Sequence, residues 1–139
     1  MRYLTLFALI AFFAACSSST PENLTKKVDQ LIAKDNYEQA IELLEGTDST
    51  QTKADLATLR EKVHLNYGIF LEYRGKEGTT MRARMTGALR QYIKVLQINP
   101  DNAKAISEIK QIMSIYSTMP EKSPAEGIKE DLQKLGFDY

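Results

Sequence analysis

A single cysteine and a single histidine are all that these 139 residues offer to thiol or imidazole chemistry. One cysteine, Cys16, cannot close an internal disulfide, so the fold must be held by packing alone. His64 falls inside a helical apolar pattern, where a partly buried or solvent-facing polar side chain is the expected role. No Ser-His-Asp or Cys-His set can be assembled around it. Metal ligands at recognised spacings are missing, and so is a glycine-rich phosphate loop. Carboxylates such as Glu42 and Glu45 read as a solvated helix face. Excess charge is missing too: 18 basic residues stand against 18 acidic ones, which argues against a nucleic-acid binder. The apolar run over residues 4–15, broken only by Thr5, is shorter than the roughly 20 residues a spanning helix needs. The expectation is no enzyme, no metal and no cofactor.

What is present begins with that run. Arg2 precedes it, Ala14 and Ala15 close it, and Ser17-Ser18-Ser19 follow Cys16, the pattern of a secretory signal peptide. The ending Phe13-Ala14-Ala15-Cys16 resembles the lipobox of bacterial lipoproteins, with Phe13 where leucine is usual. That resemblance implies cleavage before Cys16 and acyl chains, palmitate among them, on the new N-terminus. Several chains on one residue anchor far more firmly than one. Cleavage removes 15 of the 139 residues and leaves 124, enough for one domain with a real core. The expected division is a signal peptide over 1–15, a lipidated cysteine with a polar tether over 16–23, and a helical domain over 24–139. Serine at position 17, rather than aspartate, fits an outer-membrane address with the domain facing the periplasm.

The rest of the chain is punctuated by helix signals. Thr20-Pro21-Glu22 combines a cap, a first-turn proline and an acid, and Leu24, Val28, Leu31 and Ile32 form the stripe behind it. Asp35 with Glu38 predicts a second start, with Tyr37, Ala40, Ile41 and Leu44 inward and Gly46 as the stop. Thr52 with Asp55 opens a third helix, whose stripe Leu56, Leu59, Val63, Tyr67 and Phe70 or Leu71 reaches about Tyr73. A loop with Gly75 and Gly78 follows, then Met81, Met85, Ala88, Leu89, Tyr92 and Leu96, ended by Pro100. Asp101 or Asn102 caps a fifth helix carrying Ile106, Ile109, Met113 and Tyr116. Ser123-Pro124-Ala125-Glu126 signals a sixth, with Ile128, Leu132 and Leu135 inward, Gly136 as the stop and Phe137 folding back. The fold class is all-α.

Ala88, Tyr92, Val95 and Pro100 lie at offsets zero, four, seven and twelve, and these resemble the second half of a tetratricopeptide repeat. The segment from Lys34 through Tyr37 and Ala40 to Ile41 is similar to the turn inside such a unit, and Tyr67-Gly68 to the large-small pair of its first helix. Ala40 and Ala88 are 48 residues apart where the family period is about 34, so the repeat is degenerate. The resemblance implies a right-handed α-α superhelix of about three hairpins. It also implies a lipid-anchored protein–protein interaction adaptor, with another envelope protein as partner and the membrane met through Cys16. The alternative is a helical carrier of a small apolar ligand, which would require a closed cavity of several hundred Å³.

One local charge bias remains. Residues 74–94 hold Arg74, Lys76, Arg82, Arg84, Arg90 and Lys94 against Glu77 alone. Helical scaffolds bind partners on a concave face and on loops at one end. This basic loop and helix start, with Tyr67, Tyr73, Met81 and Met85 beside it, is the expected partner surface, and a solvated face is the bland alternative.

Overall fold

Each apolar stripe becomes a helix. A computed structural model of the chain describes residues 21–47, 52–120, 123–125 and 127–138. Among them are α1 (Pro21–Ala33), α2 (Tyr37–Glu45), α3 (Lys53–Tyr73), α4 (Met81–Ile98), α5 (Ala103–Thr118) and α6 (Ile128–Lys134), with no strand. The expected signal peptide, Cys16 and the serines after it lie outside the described residues. Pro21, Glu22 and Asn23, given above to the tether, instead form the first turn of α1.

Local chemistry sets most of the boundaries. Thr52, Thr80 and Asn102 are extended residues whose side chains accept the backbone N–H of Asp55, Ala83 and Ala105, satisfying donors the first turn leaves orphaned. Two starts depart from expectation. Asp35 does not cap α2, because its backbone is left-handed (φ 58°) and completes the end of α1. There the Asn36 N–H donates to Leu31 O and the Asp35 N–H to Ile32 O, a Schellman motif with aspartate in the place glycine usually takes. Ser123-Pro124 does not start α6 either: Pro124 is buried, and the helix begins at Ile128 after Gly127 (φ 86°). The end of α6 is as expected, with Gly136 N–H on Gln133 O and Phe137 N–H on Leu132 O.

Packing follows the chain. α1 lies on α2, α2 on α3, α3 on α4 and α4 on α5; α1 also meets α3, and α4 meets α6. The α3–α4 pair is the most extensive contact, and small residues permit it. Ala88 is wholly buried, and a Cβ on Gly68 would stand 2.5 Å from Tyr92 Cε1, so the ring lies directly on the glycine. Two apolar clusters result. One holds Leu24, Val28, Ala40, Leu44 and Val63; the other holds Leu89, Tyr92, Ile109, Ile112, Tyr116 and Leu132. α3 serves both, giving Leu56, Leu59 and Val63 to the first and Leu65, Ile69 and Leu71 to the second.

Candidate interaction surface

The six basic residues of 74–94 separate into three settings. Arg74 and Lys76 reach back to the start of the chain. Arg74 Nη2 is 2.6 Å from Asp35 Oδ1 with its guanidinium 4.9 Å from the Phe70 ring centre, and Lys76 Nζ is 2.7 Å from Glu38 Oε1. Arg82 and Arg84 brace the loop. Arg82 donates to Ser123 O at 3.0 Å and lies over the Tyr116 ring, while Arg84 donates to Arg74 O at 3.1 Å. The Arg84 stem also packs where a side chain on Gly75 (φ 66°) would stand, so that glycine is needed both for its backbone and for its empty space. Arg90 and Lys94 are exposed on α4. The sequence run is therefore not one continuous basic face: four of the six cations bind within the molecule.

Tyr67 and Tyr73 also part company. Tyr67 stacks on the buried Tyr37 at 4.9 Å and 7°, and its hydroxyl donates to Glu38 Oε1 at 2.6 Å. With Phe70, these rings form an aromatic cluster, and the Arg74 guanidinium lies over its Phe70 member. Lys76 and the Tyr67 hydroxyl, both donating to Glu38, hold its carboxyl below the ordinary glutamate value. Tyr73 is instead 54% exposed, and Met81 46% exposed, the most open large apolar side chains among the described residues. Met85 is buried in the core.

Tyr73 roofs a network that sequence reasoning missed. Its hydroxyl donates to Glu108 Oε2 at 2.9 Å and accepts from Gln111 Nε2 at 3.0 Å. Gln111 Nε2 also donates to Glu72 Oε1 at 3.0 Å, and the buried Tyr92 hydroxyl donates to Glu72 Oε2 at 2.8 Å. Lys104 pairs with Glu108 from the same helix. Burial and the nearby Glu108 charge push the Glu72 carboxyl up. Burial opposes the Glu108 charge as well, but hydrogen bonds from Lys104 and Tyr73 outweigh it and hold that carboxyl down. The two acids, facing each other between α3 and α5, are thus pushed in opposite directions. The only sequence hint was Glu108 sitting at helical spacing among Ala105, Ile109 and Ile112, a charged residue in an apolar stripe.

His64 is buried, with Nδ1 donating to Gln91 Oε1 at 2.8 Å, and burial lowers its pKa, favouring the neutral ring. The cleft beside it is about 40 Å³, room for a water or two. No group of three metal-binding side chains occurs among the described residues, and none of the described helices is long and apolar enough to cross a membrane. No family model, no curated protein and no solved structure matches the chain. Exposed among the described residues are Tyr73 and Met81 at one end of the helices, and Arg90 with Lys94 along α4.

Proposed function

We propose that the chain is a lipid-anchored adaptor of a bacterial envelope, held to the outer membrane by acyl chains on Cys16 and presenting its helices to a partner protein in the periplasm. In this reading α1–α2 and α3–α4 are hairpins of a tetratricopeptide-like right-handed superhelix with degenerate repeats, which α5 continues. The third expected hairpin is altered because α6 packs on α4. The observation that carries it is the close approach at the small residues: Ala40 and Ala88 are wholly buried, and Tyr92 sits on Gly68. These are the positions where a repeat of this kind needs room for a neighbouring helix. Packing of each helix on its neighbour, through α5, supports the same reading.

Adaptors of this architecture act through surface and shape, without chemistry of their own. The carrier reading gains less support, because the clefts beside α4, of about 320 and 240 Å³, open to solvent rather than enclose an apolar space. The deciding experiment is crosslinking in the intact envelope followed by recovery of the tagged chain. A defined envelope protein should come with it in stoichiometric amounts. Recovery of the chain alone, or with a bound small apolar molecule, would overturn the adaptor.

A further inference from the structure

An open groove of about 320 Å³ runs between α4 and α6. Ile93 and Ile128, both buried, form its floor. Arg90 and Lys94 stand one turn apart on the α4 side, with Gln97 beyond them, and Asp131 faces them from α6. Asp131 is already ion-paired with Lys134 on its own helix at 2.9 Å. Arg90 and Lys94 have no ion pair among the described residues, although like charges at that spacing weaken a helix. Of the six cations in residues 74–94, these are the two that the fold itself does not use.

We propose that this groove docks an acidic peptide segment of a partner protein, with an aliphatic side chain over Ile93 and Ile128 and flanking carboxylates on Arg90 and Lys94. The proposal rests on the adaptor reading and gives its partner a chemistry. Two cations beside an apolar floor match a short motif of acids around one aliphatic residue. They match an anionic bilayer poorly, since such surfaces are met by clusters of roughly four to eight cations. A flat surface would also press on Asp131 across the groove, which a narrow peptide can pass on the α4 side. The attraction is electrostatic at its rim, so capture should weaken as salt rises.

The test uses the full chain and two synthetic peptides, one with leucine between pairs of glutamates, the other with lysines replacing the glutamates. The glutamate peptide should shift backbone amide resonances of residues 90–97 and 128–131 saturably, and the lysine peptide should not. Changing both cations, Arg90→Glu with Lys94→Glu, should weaken the glutamate peptide about tenfold or more and give the lysine peptide measurable affinity. The milder pair Arg90→Gln with Lys94→Gln should weaken the first without creating the second, and serves if the reversal disturbs folding. Absence of saturable shifts overturns the proposal, as does binding that ignores both double variants. Capture by phosphatidylglycerol vesicles through the same two residues, with no peptide binding, also overturns it and gives the face to a membrane. A photo-crosslinker placed at Gln97 or at Tyr73 in the native envelope separates the two levels. Product from Tyr73 alone removes the groove and leaves the adaptor; product from neither removes both.

Discussion

Gly68 shows how much can hang on one missing methyl group. Tyr92 lies on it, and the Tyr92 hydroxyl is tied to Glu72, so the ring cannot swing aside without breaking a buried hydrogen bond. Gly68→Ala gains up to about 1 kcal/mol of helix propensity yet overpacks the α3–α4 contact. The expected net result is a loss of about 1–3 kcal/mol in chemical denaturation. A variant as stable as the parent would place the ring elsewhere. Ala88→Leu, one turn from Tyr92 on the same face, should lose a similar amount by the same mechanism, read as a lower melting temperature. The acid pair makes a pH prediction. Glu72 has a raised folded pKa, so its stabilisation is present below the ordinary glutamate value and is lost as pH climbs through the folded one. Glu108 has a depressed pKa, so its contribution is present above the ordinary value and is lost as pH falls through the folded one. Stability from this pair should therefore peak in mildly acidic solution, near the ordinary glutamate range. Glu72→Gln mimics the protonated form and should flatten the decline on the alkaline side of that peak in melts across pH. An unchanged profile would deny the raised Glu72 pKa.

Among the elements, the helices were legible and their long-range ties were not. Thr52 and Asn102 cap from three residues away, and the apolar stripe after the loop with Gly75 and Gly78 marks α4. Local sequence therefore suffices to place α3, α4 and α5, although the Thr80 cap of α4 went unread. The end of α6 was readable for the same reason. The start of α6 was not, because Pro124 is drawn into the core and Gly127 turns the chain before the helix can begin. Asp35 was misread since its backbone serves the end of α1 while its carboxylate serves Arg74, 39 residues on. The basic run was legible as composition only. Which of its members bind inside the molecule depends on Asp35, Glu38, Tyr116 and Ser123, all distant in sequence. That distinction is testable with charge reversals made singly. Arg82→Glu forfeits the ring contact with Tyr116 and the bond to Ser123 O, and should cost about 1–2 kcal/mol. Arg90→Glu, on an exposed face, should change the melting temperature little. Equal effects from the two would return the run to a uniform solvated face.

At the scale of the whole molecule, the proposed anchor and the helical body answer to different measurements. Cys16→Ser should abolish acyl labelling and move the chain from the detergent phase to the aqueous phase, or leave it uncleaved, while the far-ultraviolet helical signal stays. Unchanged partition and labelling would remove the lipoprotein reading without touching the fold. One feature of the body reaches further. α3 is the wall shared by both apolar clusters, and its 21 residues span about 31 Å. Its amides can exchange with solvent fully only when the whole chain opens, whereas α1–α2 can detach by releasing one cluster, the Tyr37 ring stack and three exposed ion pairs. In a chain tethered at its N-terminus, a pull from the partner would reach α1–α2 first. That pair would peel away as a unit and act as a mechanical fuse, sparing α3 to α6 and whatever they hold.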